Sequence, residues 1–167
     1  MDVDVLVEIP KGSRNKYEFD HALGRIRLDR MLFTSTGYPG DYGFVPETLA
    51  EDDEPLDALV LLDDPTFPGC QVRGRVIGVF WVRDESGPDA KLVCVPADDP
   101  RHSRIRELED LPEHLRSEIG HFFEIYKALD PDKCLDVGGW ENRVSAEAAV
   151  IEGRRRARMP WAQPTTG

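Results

Sequence analysis

The sequence predicts a mainly β protein of the α+β class, a small closed barrel followed by two helices. Two observations predict it. Across the first hundred residues, short segments of alternating or continuous apolar residues are separated by Gly-, Pro- and Asp-rich turn signals, the pattern of a compact all-β unit. In the last third, apolar residues recur at helical spacing instead. With 167 residues, no internal repeat and no linker, residues 1–159 read as a single domain, and 160–167 as a frayed tail.

The elements follow in chain order. Val3, Val5, Val7 and Ile9 alternate with Asp4, Leu6 and Glu8, the period of a half-buried strand. Tyr17 and Phe19 share one face of a second strand, with Lys16 and Glu18 on the other. A turn over 21–24 leads to a third, Arg25–Arg30. There Ile26, Leu28 and Arg30 share parity and should point inward, opposite to Arg25, Arg27 and Asp29. Gly37–Gly43 reads as an aromatic loop rich in turn residues. Leu56–Leu62, Gln71–Val82 (bent at Gly74 or Gly78) and Lys91–Val95 complete the strands. Asp110-Leu111-Pro112-Glu113 resembles a capping box opening a helix. Leu115, Ile119, Phe122, Phe123, Tyr126 and Leu129 share one face of that helix, which Tyr126-Lys127 closes. A second helix is expected from about Ser145 to Ala157.

Composition narrows the function. Hydrophobic residues are 40% and charged residues 32%, with a formal net charge of −11. A surface that acidic repels nucleic acid and anionic membranes, so neither is an expected partner. No apolar run approaches the ~20 residues of a membrane span. The acidic residues among Met1–Pro10 exclude a signal-peptide core. Cys70, Cys94 and Cys134 match no zinc spacing or disulfide framework, so reduced thiols and a cytoplasmic location are expected.

Carboxylates gather in two places. Glu51-Asp52-Asp53-Glu54-Pro55-Leu56-Asp57 runs straight into the apolar strand Ala58–Leu62, and Asp84-Glu85-Ser86-Gly87-Pro88-Asp89 lies between two strands. Acids crowded at strand mouths repel one another, and hard divalent cations with oxygen ligands would offset that repulsion. The plainer reading of each cluster is a solvated acidic turn. In a hairpin, Asp84 and Asp89 would flank a four-residue loop, ~5 Å apart across the pair. Arg30, Lys16, Lys91 and the Tyr126-Lys127 pair could hold an anion. Their plainer readings are a salt bridge from Arg30 to an inward carboxylate, Lys127 complementing the helix dipole, and Tyr126 packing in the core. Lys91 shares its strand face with Asp89. Arg154–Arg156 and Arg158 read as a basic helix end rather than an RNA contact. His21, His102, His114 and His121 lack ligand spacing, and no other catalytic signature is present.

The stretches Glu8-Ile9-Pro10, Lys16-Tyr17-Glu18, Asp29-Arg30, Tyr38-Pro39-x-x-Tyr42-Gly43, Asp52-x-x-Pro55-Leu56-Asp57, Asp84-Glu85-x-x-x-Asp89-x-Lys91 and His121-Phe122-Phe123-x-x-Tyr126-Lys127 resemble, in order and over roughly residues 3–150, the soluble family I inorganic pyrophosphatases of bacterial type. The resemblance implies a five-stranded OB-like β-barrel flanked by two C-terminal helices. It implies Mg²⁺-dependent hydrolysis of pyrophosphate to two phosphates, with several ions per site, and a homo-oligomer, commonly a hexamer. Residue by residue, Asp52, Asp57 and Asp89 match ligands of an activating metal, with Asp57 bridging to a second ion. Asp84 and Asp89 match ligands of metal arriving with substrate, and Glu8 and Glu18 match acids near the cluster. Lys16, Arg30, Tyr42, Lys91, Tyr126 and Lys127 match groups that grip phosphate oxygens. Glu54 departs from the pattern. The motif has aspartate there, at the position that accepts the proton of the attacking water, so Glu54 or Asp89 would take that part. Beside this reading stand a catalytically weakened relative that binds metal and phosphate and, more remotely, an OB-type nucleic-acid-binding module.

Overall fold

The computed structural model describes residues 1–84, 87–131 and 136–159, with Asp84 described by its backbone alone. The tail expected to fray (160–167) and Cys134 lie outside the described residues. The strands are β1 (Asp2–Ile9), β2 (Asn15–Asp20), β3 (Arg25–Met31), β4 (Asp41–Phe44), β5 (Asp57–Val60), β6 (Gln71–Asp84), β7 (Gly87–Pro96) and β8 (Asp136–Asn142), and the helices are α1 (Glu113–Ile125) and α2 (Arg143–Arg158). The main sheet runs β1-β4-β5-β7-β6-β8, and β6 also pairs with β1. Five strands thus close into an OB-like ring with β8 attached outside, while β2 and β3 form a separate two-stranded ribbon. No helix among the described residues is long and apolar enough to cross a membrane.

The adjacent ring strands β5 and β7 are buried on both faces, which is why Leu56–Leu62 reads as a continuous apolar run. On β5 and β7, Leu59, Val93 and Val95 belong to one core with Ile119, Phe122 and Phe123 of α1. Their alternating neighbours Ala58, Val60, Leu92 and Cys94 belong to another with Ala146 and Val150 of α2. β5 and β7 pair in parallel, the arrangement that demands cover on both sides.

Several expectations are corrected. The loop expected over Gly37–Gly43 contains the start of β4, hidden by its glycines. Gly43 is required there because a Cβ would lie 1.9 Å from the Leu6 carbonyl oxygen on β1. β8 was not foreseen, since Gly138-Gly139 breaks its apolar pattern. The capping box does not open α1. Its N-cap is Pro112 without a side-chain bond, and Asp110 instead accepts the N–H groups of Arg106 and Glu107 in the preceding 3₁₀ turn. Leu129 lies beyond α1 and is exposed. α2 begins two residues before the expected Ser145, because Asn142 caps it by accepting the Ser145 N–H. The β6–β7 ladder continues to Asp84 opposite Gly87 and sets Asp89 opposite Val82, so the two aspartates do not face each other across a four-residue loop. The β6–β7 register slips between Val76 and Gly78, beside one of the two glycines at which a bend was expected.

Candidate active site

One cavity of about 660 Å³ lies where the ribbon, the β4–β5 edge and the end of α1 meet. Glu8, Lys16, Glu18, Arg30, Tyr42, Asp52, Glu54, Asp57, Asp89, Lys91, Tyr126 and Lys127 all line it. The Asp84 side chain is outside the described residues.

The floor stands on the ring. Asp57 opens β5 in register with Lys91 on β7, and Asp89 sits two residues earlier on the same face of β7. The Lys91 ammonium, 3% exposed, donates to Asp57 Oδ2 and Asp89 Oδ2, each at 2.5 Å. The Tyr42 hydroxyl donates to the same Asp57 oxygen at 2.6 Å. Burial alone would lower the Lys91 pKa, but Asp57 and its other neighbours raise it well above the ordinary value, so this lysine stays charged. Burial raises Asp89 despite Lys91, and pushes the Tyr42 hydroxyl well up, with Asp57 adding to it. Tyr42 is therefore a neutral donor.

Two further acids reach the cavity through β-bulges. The β1–β4 register slips between Val7 and Ile9, leaving Glu8 as the extra residue; such an insertion re-aims a side chain. Glu8 accepts the Phe19 N–H at 2.7 Å, tying β1 to the ribbon. Burial pushes its carboxyl up to about 7, opposed by that N–H and assisted by repulsion from Asp57. On the ribbon, Tyr17 pairs with Leu28 and Lys16 with Arg30, so Asp29 is the extra residue. This overturns the expected opposition of Asp29 and Arg30: both line the cavity, and Arg30 Nη1 donates to Asp29 Oδ2 at 2.6 Å. Leu28, expected to point inward with Arg30, is 56% exposed. The ribbon lies outside the ring and meets it through Tyr17 and Phe19 of β2, so parity on β3 marks no core face.

Asp52 and Glu54 sit on an exposed turn held by Ala50 N–H to Glu54 O at 2.7 Å and Glu54 N–H to Asp52 Oδ1 at 3.1 Å. Asp53 takes a positive φ of 65° there. At the opposite wall, Tyr126 caps the end of α1, buried against Phe122 and Phe123, so its core-packing reading holds alongside its place in the cavity. The salt-bridge reading of Arg30 holds too, since it pairs with the buried Asp130. Sequence reasoning gave no part to Asp130, a lone acid in a loop, nor to Tyr38 and His21, which also line the cavity. The Tyr38-Pro39 dipeptide carried the only signal among these.

The donors fit a hard cation. They are carboxylate oxygens contributed by β1, β2, the Asp52–Glu54 turn, β5 and β7, and burial already disfavours charge on Glu8 and Asp89. Among the described residues no three such groups converge closely enough to enclose an ion by themselves. The Lys91 ammonium spans Asp57 and Asp89 instead.

Fold and cavity define the class: an OB-like barrel with an acidic floor beneath a cationic rim. A family profile described as inorganic pyrophosphatase matches residues 5–158. The chain is 58% identical to an inorganic pyrophosphatase of Streptomyces coelicolor over 156 residues, 93% of this chain and 96% of the relative. It is 51% identical to one from Methanosarcina acetivorans, covering 91% and 90% of the two chains. The crystal structure of inorganic pyrophosphatase from Thermus thermophilus superposes with a TM-score of 0.91 at 47% identity, covering 95% of this chain and 92% of that one. The chain belongs to the inorganic pyrophosphatase family.

Proposed function

We propose that this protein hydrolyses inorganic pyrophosphate to two phosphates in the cytoplasm, with Mg²⁺ as the activating ion. The observation that carries this reading, beside family membership, is the cavity itself. Asp57 and Asp89 on the rigid ring face Lys16, Arg30 and Lys127 on the opposite walls. Asp52, Asp57, Asp84 and Asp89 would hold the ions, with Glu8 and Glu18 close by. Bound there, divalent ions supply charge neutralisation and a water acidified toward neutral pH.

The side chains do the rest. Tyr42 and Lys91 fix the Asp57 carboxylate. A carboxylate oxygen of Glu54 or Asp89 accepts the proton of the attacking water. Arg30, Lys127 and Tyr126 hold the phosphate under attack. Lys16, Tyr42 and Lys91 meet the charge that grows on the departing one. Phosphate release from pyrophosphate, with Mg²⁺ and then with chelator, tests the reading. Release that depends on the cation is expected, and none under either condition overturns it.

Glu54 motivates the second reading, a weakened enzyme. Its extra methylene moves the carboxylate by ~1.5 Å, and a displacement of that order can cost ~10²-fold in rate. A large gain in turnover on Glu54→Asp supports that reading, and an unchanged rate refutes it. The hexamer rests on the resemblance alone and is tested by analytical ultracentrifugation.

A further inference from the structure

We infer that Asp130 is a positioning residue that aims the Arg30 guanidinium into the cavity, as the buried anchor of an ion-pair chain that also holds Lys16. The inference rests on the reading above, in which Lys16 and Arg30 bind the phosphate groups.

The chain runs Glu18, Lys16, Asp29, Arg30, Asp130 in alternating charge. Lys16 pairs with Glu18 and, at 3.1 Å, with Asp29. Asp29 receives Arg30 Nη1 at 2.6 Å, and Arg30 Nη2 donates to Asp130. Asp130 is its most buried member, its side chain 4% exposed against 19% for Lys16, 26% for Asp29 and Arg30 and 43% for Glu18. Surface pairs are screened and exchange freely with water, whereas a buried carboxylate is costly to separate from its counter-ion. Asp130 Oδ1 has no hydrogen-bond partner among the described residues, so Arg30 is the cation this carboxylate depends on.

The fold gives the pair its leverage. The β2–β3 ribbon shares no ladder with the ring, so ladder hydrogen bonds do not fix its height above the floor. Asp130 is anchored from the other side, its N–H donating to the Lys127 carbonyl at 3.0 Å in the turn that follows α1. The Arg30–Asp130 contact therefore joins two walls of the cavity across 100 residues of sequence. A guanidinium has five N–H donors in a fixed plane. Asp29 and Asp130 take one each, which sets that plane and leaves three for an anion. The bulge at Asp29 brings adjacent residues of β3 to the same cavity, as the chain requires.

The test is a double-mutant cycle with Asp130→Asn and Arg30→Ala, reading kcat, KM for magnesium pyrophosphate and Tm. Asp130→Asn should raise KM about tenfold, the scale of one lost charge-assisted hydrogen bond, with a smaller change in kcat. In the Arg30→Ala background it should leave KM unchanged, because Asp130 acts through Arg30. Arg30→Ala alone should lower Tm by stranding a buried carboxylate, and adding Asp130→Asn should restore it. An unchanged KM in the single variant, or an equal rise in both backgrounds, overturns the inference. If Asp130→Asn does not fold, Asp130→Glu, which keeps the charge but shifts the anchor by one methylene, should still raise KM, and an unchanged KM overturns it. If the unmodified protein releases no phosphate, the functional reading has failed. Calorimetric binding of inorganic phosphate to the protein and to Asp130→Asn then decides the anchor by itself, with equal affinities overturning it.

Discussion

Asp57, Asp89 and Lys91 stand on β5 and β7, central strands of a closed ring whose neighbouring side chains Leu59, Leu92 and Val93 are wholly buried. Lys16, Asp29 and Arg30 stand on the β2–β3 ribbon, in which no residue is buried and which no ladder joins to the ring. The same cavity thus has a floor positioned by packing and a rim whose cations are positioned by ion pairs, on a ribbon tied to the ring by the Glu8–Phe19 hydrogen bond and by Tyr17 and Phe19. Close-packed interiors hold geometry to fractions of an ångström, and an isolated two-stranded ribbon is marginal in water. Such a division suits a site in which Asp57 and Asp89 keep a fixed spacing while ion pairs aim Lys16 and Arg30.

The sharpest way to break this comparison is to look for solvent entry into the ring. Cys94 lies on β7, fully buried, and burial pushes its thiol up to about 12. The direction follows from desolvation, which penalises the thiolate, so at pH 8 only roughly 10⁻⁴ of it is in the reactive form. Alkylation at pH 8, read per residue by mass spectrometry, should modify the half-buried Cys70 while leaving Cys94 untouched until the protein unfolds. Labelling of Cys94 at the rate of Cys70 would mean that the ring opens, and the rigid floor would be lost with it.

Next in size is Asp57→Asn. Its carboxylate takes both the Lys91 ammonium and the Tyr42 hydroxyl, so the amide removes the charge at the centre of the floor. Turnover of pyrophosphate with Mg²⁺ should fall by roughly 10³-fold, at the upper end of what one preorganised electrostatic contact supplies. The Tm should fall as well, because Asp57 is the carboxylate that chiefly offsets burial of the Lys91 ammonium. Near-full activity would remove Asp57 from the proposed metal site.

A third test weighs the ring directly. Leu92→Ala empties a wholly buried position between β7 and α2 and should cost about 3 kcal/mol in urea unfolding. A loss below about 1 kcal/mol would show that the site collapses, contrary to a packed floor.

What the sequence disclosed divides along the same line. β1, β5, β6 and β7 were legible because burial imposes a pattern on every residue of a strand. That Asp89 and Lys91 share a strand face followed from two-residue parity alone. The ribbon misled because only β2 reaches the ring, through Tyr17 and Phe19: Leu28 on β3 has the parity of an inward residue and faces solvent. Parity also fails at a bulge, where Glu8 and Asp29 reach the cavity by an extra residue that no periodicity announces. β4 was masked by Gly40 and Gly43, which permit close approach of strands yet read as turn residues. Asp130 was invisible for a different reason. It is one of 32 acidic residues, and only the fold brings it to Arg30.

The smallest effect is the most direct control on the rim. Leu28→Ala removes a large apolar side chain from β3, but one that is 56% exposed and opposite Tyr17 on the ribbon. Exposed positions away from caps, cores and ion pairs shift stability by no more than about 0.5 kcal/mol, so urea unfolding should barely move, in contrast to Leu92→Ala. KM should hold as well, since Lys16, Asp29 and Arg30 are held by their charges and not by Leu28. A loss comparable to that at Leu92 would mean that Leu28 is covered in solution, as by a second copy of the chain. Sedimentation of the variant against the unmodified protein would then show a drop in oligomer size, and the rim would owe its position to an interface as well as to ion pairs.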